Sequence, residues 1–230
     1  MSHLSVSGLF HWLEDSFHAA PKGIIFDCDG VVIDSRKANI GYYNALRAHL
    51  GIPPLTPEQE DFVQMATVHQ ALNSLCPSAL LPLLRDAAKR IDYERDILPK
   101  ITHYPGIHAL LDLCRETGIR LGMDTNREDG MDTILGNCRL RGYFDPIVLA
   151  SHVRRPKPFP DGALAIARQW NLPPTALLFL GDSVTDRDAA QAAGIPFLTF
   201  QTEGLSEASI ADFDTLRLAL ARFREESTRP

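Results

Sequence analysis

The sequence predicts an α/β protein: a parallel five-stranded sheet covered by helices on both faces, with an all-helical segment inserted after the first strand. Three observations lead there. Five short apolar runs, at residues 23–27, 119–124, 147–150, 176–180 and 197–200, read as buried strands. From residue 103 onward they alternate with helical patterns near 106–117, 127–140, 160–170 and 185–193, the signature of strand–helix–strand units. Residues 36–102 break this alternation and contain helical stretches at 36–50 and 79–96 around a middle rich in proline (Pro53, Pro54, Pro57, Pro77).

Taken in order, Leu9, Phe10, Trp12, Leu13 and Phe17 give residues 8–18 the spacing of a short amphipathic helix. It is read as packed on the core surface, with a dimer contact as the alternative. The first strand follows and ends in acid at Asp27. The insertion is expected to hang over the carboxyl end of the sheet, where open α/β folds bind ligands. The domains are therefore drawn as a catalytic core of residues 1–35 and 103–230 and a helical cap of residues 36–102. At the far end Asp212 is placed to cap a last helix whose Leu216, Leu220 and Phe223 share one face.

A chain of 230 residues, 45% hydrophobic and 23% charged, suits one core domain carrying a smaller insert. A net charge of −6 and a pI near 5.7 give no field that steers the molecule to nucleic acid or anionic lipid. No apolar run approaches the roughly 20 residues of a membrane span. Glu14 and Asp15 interrupt any apolar core near the N-terminus, so no signal peptide is read there. Cys28, Cys76, Cys114 and Cys138 lack CxxC spacing and are expected as free thiols of a cytoplasmic protein.

The chemistry gathers at strand ends. Asp27-Cys28-Asp29-Gly30-Val31-Val32-Ile33-Asp34-Ser35 sets two carboxylates two residues apart. Like charges about 4 Å apart repel by about 4 kcal/mol at an effective dielectric near 20, a cost that a cation or a proton relieves. An acidic loop facing water is the plainer reading of that segment alone. Gly181-Asp182-Ser183-Val184-Thr185-Asp186 repeats the pattern after another strand; capping by Asp182 or Ser183 explains part of it. If the two strands are neighbours, at least three carboxylates converge, and oxygen donors without His or Cys favour Mg²⁺ over Zn²⁺. In Asp124-Thr125-Asn126 the hydroxyl and amide suit phosphate oxygens or, equally, a helix N-cap. Lys157, in Arg154-Arg155-Pro156-Lys157-Pro158, has its backbone restricted by a proline on either side.

The order and spacing of these segments resemble the haloacid dehalogenase-like hydrolases, in their phosphoglycolate phosphatase-like branch, over about residues 22–200. DCDGVVIDS is similar to that family's DxDGxxxDS, Thr125 to its Ser/Thr motif, Lys157 to its lysine and GDSVTD to its GDSxxD. The resemblance implies a Rossmann-like core, a helical cap and a Mg²⁺-dependent phosphatase acting on a small phosphorylated metabolite as a monomer or homodimer. It implies that Asp27 is the nucleophile, forming an aspartyl phosphate, and that Asp29 is the general acid and base. It implies that Mg²⁺ is held by Asp27, Asp182 and the Asp29 carbonyl, with Asp186 acting through water. Thr125, Asn126 and Lys157 are implied to bind the transferring phosphoryl group. Asp34 and Ser35 are expected to shape the entry to the cap. Arg127 stands where many relatives have lysine and is given no role.

A dehalogenase is disfavoured by the presence of Asp29. A sugar-phosphate mutase and a catalytically silent binding module are the alternatives. In the mutases this chain resembles, a histidine lies ten residues beyond the acid/base; here that position is Asn39, which has no titrating proton near neutrality. Substrate choice is assigned to the cap around residues 51–67. His69, Gln70, Arg36 and Lys37 are polar candidates read mainly as facing solvent.

Overall fold

The computed structural model describes residues 3–65, 68–128 and 130–227. Its elements are α1 (Val6–Ser16), β1 (Gly23–Phe26), β2 (Ile33–Asp34), α2 (Arg36–His49), α3 (Pro57–Met65), α4 (Val68–Leu75), α5 (Leu84–Ala88), β3 (Thr102–His103), α6 (Ile107–Glu116), β4 (Arg120–Thr125), α7 (Met131–Asn137), β5 (Ile147–Leu149), α8 (Asp161–Trp170), β6 (Leu177–Gly181), α9 (Val184–Ala193), β7 (Phe197–Phe200), β8 (Ser209–Ile210) and α10 (Phe213–Ser227). They fall into two compact units, Met1–Ile33 with His103–Pro230, and Asp34–Thr102.

The larger unit holds a parallel sheet of order β5-β4-β1-β6-β7-β8. It has six strands where five were expected. The sixth, Ser209–Ile210, is two residues long and pairs with Thr199 and Phe200; it carries no apolar run, so backbone pairing alone defines it. β1 lies between β4 and β6, with Phe26 opposite Met123 on one side and Leu180 on the other. Chain order reverses at β1, which makes its carboxyl end the switch point where loops part and ligands enter. All four residues of β1 and all five of β6 are buried, because helices cover both faces.

α1 is covered by α10: Phe10 packs edge-on to Phe223 with ring centroids 6.1 Å apart, and Arg222 lies 3.9 Å over the Phe10 ring. Asp212 caps α10 as expected, accepting the Thr215 N–H at 2.8 Å. The four cysteines are free and buried. Among the described residues no helix is long and apolar enough to cross a membrane.

The smaller unit is helical, with a core of Tyr43, Leu46, Leu55, Val63, Ala71 and Ala87. The single helix expected at 79–96 is broken instead into a 3-10 turn at Ser78–Leu83 that contains Pro82, then α5, then a wide turn at Tyr93–Ile97 opened by the Asp92 side chain. Proline has no N–H to give an α-helix interior, which accounts for the break. Conversely, the proline-rich middle holds α3, where Pro57 takes the first position and Thr56 and Gln59 cap each other, at 3.1 and 3.4 Å. Thr67 and the side chains of His69 and Gln70 lie outside the described residues.

One packing detail fixes a helix to the sheet. Trp170, at the end of α8, donates its indole N–H to the Asp145 carbonyl at 2.9 Å and packs its ring against Gly23 and Gly122. A Cβ at Gly23 would stand 2.5 Å from the Trp170 ring. Gly23→Ala is therefore expected to destabilise the protein by about 1–3 kcal/mol through overpacking. That exceeds the gain of up to about 1 kcal/mol from a less flexible unfolded chain. Urea denaturation checks this; an unchanged or higher midpoint would refute the account of Trp170.

Candidate active site

The site is built at the carboxyl ends of β1, β4 and β6. Hydrogen bonding of the Asp27 N–H to the Leu180 carbonyl, 2.9 Å, extends the ladder one residue past β1 and fixes the Asp27 backbone. Alternation then sends Cys28 the other way, into full burial against Met131, as the strand geometry expects. The chain turns back at once, with the Val32 and Ile33 N–H groups both reaching the Cys28 carbonyl. Gly30 permits this turn at φ 79°, and a Cβ there would overlap Asp182 Oδ2.

Beyond β6, Ser183 caps α9. Its hydroxyl faces the Asp186 N–H at 3.3 Å, while Asp186 Oδ2 accepts from the Ser183 N–H at 3.0 Å and its hydroxyl at 2.5 Å. This capping box holds Asp186, which is fully buried, with its other oxygen free to face inward. Carboxylate oxygens of Asp27, Asp182 and Asp186 come within 4.8 Å of one another. Lys157 joins them: its ammonium lies 2.6 Å from Asp27 Oδ1 and 2.5 Å from Asp186 Oδ1, with only 2% of the side chain exposed. Asn126 donates to the Lys157 carbonyl at 3.0 Å and so anchors the lysine loop to the end of β4.

Thr125 is 2% exposed and does not cap a helix, since α7 begins only at Met131; its hydroxyl accepts the Arg127 N–H at 3.2 Å. The Asp29 carboxylate stands outside the carboxylate trio and is gripped by Arg127, whose Nε and Nη2 donate to its two oxygens at 2.6 and 2.7 Å. Arg127, directly after Asn126, is a site residue to which sequence reasoning assigns no role. Asp124 also went unassigned. It is 3% exposed, takes the Ala163 N–H at the head of α8, and adds a further negative charge near Lys157.

Charge decides what the site wants. Burial, with the repulsion of Asp186 and Asp182, holds Asp27 well above the usual carboxylate range despite the opposing pull of Lys157. Burial and Asp186 push Asp182 up to about 7, and burial pushes Asp124 up to about 6 against Lys157. For Lys157 burial disfavours the charge, but Asp186, Asp27 and Asp124 outweigh it and raise the ammonium above its ordinary value. One ammonium cannot balance three converging carboxylates. The remaining deficit and the all-oxygen donor set fit a hard divalent cation.

Comparison with known proteins agrees with this geometry. The family model described as haloacid dehalogenase-like hydrolase matches residues 24–200. The phosphoglycolate phosphatase of Chromobacterium violaceum is 31% identical over 182 residues, covering 75% of this chain and 82% of that one. The N-acetylmuramic acid 6-phosphate phosphatase of Pseudomonas aeruginosa is 28% identical over 179 residues, covering 75% and 78%. Among solved structures, a HAD-superfamily hydrolase of subfamily IA, variant 1, from Geobacter sulfurreducens superposes with a TM-score of 0.77 at 29% identity, over 86% of this chain and 95% of that one. The chain belongs to the haloacid dehalogenase-like hydrolases, in their phosphoglycolate phosphatase-like branch.

Proposed function

We propose that this protein is a cytoplasmic, Mg²⁺-dependent phosphatase that hydrolyses a small phosphate monoester through a phosphorylated Asp27. The observation that carries the reading is the trio Asp27, Asp182 and Asp186 with a buried lysine between two of its members. Asp27, Asp182 and the Asp29 carbonyl would hold the ion, with Asp186 acting through water; a hard cation there supplies positive charge against phosphoryl oxygens.

The chain's own groups carry the remaining work. An Asp27 oxygen attacks phosphorus while the ester bond to the leaving oxygen breaks, which divides one difficult displacement into two. Asp29 gives a proton to that leaving oxygen, then takes one from the water that attacks the phosphoryl group on Asp27. Lys157 neutralises charge that builds on the nucleophile and the phosphoryl oxygens, already oriented before substrate arrives. Thr125 and Asn126 offer donors to the same oxygens. Specificity is assigned to the helical unit of residues 34–102. Two of the relatives are named for phosphoglycolate and N-acetylmuramic acid 6-phosphate, which makes phosphoglycolate the first substrate to assay. A mutase is not favoured: Asn39 offers no titrating group, and these relatives are named as phosphatases.

Asp27→Asn is expected to lower kcat by a factor on the order of 10⁴ or more while the protein stays folded by circular dichroism. Near-normal turnover in that variant would reject Asp27 as nucleophile. Chelation is expected to abolish activity and added Mg²⁺ to restore it. Because the proton on Asp182 is lost only near pH 7, protons compete with the cation below that value. The Mg²⁺ concentration for half-maximal activity should therefore rise as pH falls from about 8 to about 6. A half-saturation that stays constant across this range would contradict the charge balance described above.

A further inference from the structure

Arg127 lies against a reacting residue, and the proposed chemistry gives it no task. Several arginines in this protein fork both oxygens of a carboxylate, but on the surface: Arg95, Arg141 and Arg155 do so with side chains 70%, 60% and 53% exposed. Such pairs add little. The Arg127 side chain is 17% exposed, and its partner is Asp29. Its backbone is fixed at both ends as well, the N–H donating to Thr125 Oγ1 at 3.2 Å and the carbonyl accepting from Ala150 at 3.0 Å. The guanidinium is thus delivered from a pinned segment after β4 to a carboxylate after the adjacent β1.

A fork of this kind does something a point charge does not. Each Asp29 oxygen spends one lone pair on the guanidinium, so the carboxylate plane is fixed while the other lone pair of each oxygen stays available. Rotation of the carboxylate would break two charge-assisted hydrogen bonds at 2.6 and 2.7 Å. We propose that Arg127 is a positioning residue that holds the Asp29 carboxylate in the orientation needed to protonate the leaving oxygen. The inference rests on the assignment of Asp29 as general acid.

Leaving-group dependence tests it. Glycerol 3-phosphate must receive a proton on its departing alkoxide, whereas p-nitrophenyl phosphate releases a stable anion that needs none. The value of kcat/KM reports the steps up to loss of the alcohol and is the quantity to compare. Arg127→Met is expected to lower kcat/KM for glycerol 3-phosphate by about 100-fold, the scale of a misplaced catalytic group, and for p-nitrophenyl phosphate by less than about 5-fold. Arg127→Lys, which keeps the charge but cannot fork, should fall between wild type and Arg127→Met on the alkyl substrate. In an Asp29→Asn background the further Arg127→Met change should cost less than about 3-fold, because the group it positions is already gone. Equal losses on both substrates, or an undiminished loss in the Asp29→Asn background, would overturn the role given to Arg127. If Asp29→Asn itself slowed both substrates equally, the assignment of Asp29 would fall instead, and this inference with it.

Discussion

The site depends on a single buried cation. Lys157 is almost wholly removed from water, and an ammonium is held in such a place only when paired and hydrogen-bonded. Asp27 and Asp186 do this, at 2.6 and 2.5 Å, the first standing just past β1 and the second in the first turn of α9 beyond the adjacent β6. The dependence runs both ways. Without the ammonium the carboxylates would face one another in a low-dielectric pocket, and removing one member of a buried pair costs about 3–5 kcal/mol. Lys157 therefore opposes the upward push that burial and its neighbours give the Asp27 carboxyl and secures the geometry of the cluster, with its own loop tied down by Asn126.

The fold supplies that arrangement through topology. Because β1 sits between β4 and β6, residues distant in sequence leave the sheet side by side: Asp27 from the centre, Thr125 and Asn126 from one neighbour, Asp182 and Asp186 from the other. Small local devices refine the placement. Gly30 lets the backbone close against Asp182, and the Ser183–Asp186 capping box turns a helix start into the rigid mount of a buried carboxylate. The stability of these turns and caps is spent in the place where three like charges have to be kept together.

Much of this was legible from residues alone, and the failures have physical causes. β1, β4, β6 and β7 announce themselves as apolar runs because both faces of the sheet are covered. β8 does not, since a two-residue edge pairing needs no apolar signal. Proline marks where the smaller unit departs from its sequence pattern: Pro82 interrupts the helix expected at 79–96, while Pro57 opens a helix in the proline-rich middle, where no individual helix is drawn from sequence. The Thr56–Gln59 capping box was the available clue. Among site residues, the acids were visible because paired carboxylates at strand ends need explaining. Lys157 was weak by itself, since a lysine in a loop is usually solvated, and only its flanking prolines hinted at a fixed backbone. Thr125 stood equally as phosphate donor or helix cap, and the late start of α7 removes the second option. Arg127 gave no signal because its partner lies 98 residues away, and pairing across that separation is a property of the sheet order.

At the centre of this account stands Asp27 as an attacking group, and the stereochemical course at phosphorus tests that most directly. A phosphorothioate monoester made chiral by oxygen isotopes, hydrolysed in isotopically labelled water, reports how many in-line displacements occur. Attack by Asp27 followed by attack of water inverts the centre twice, so net retention is the predicted result. Net inversion would mean that water attacks the ester directly in one step, and would contradict a phosphorylated Asp27.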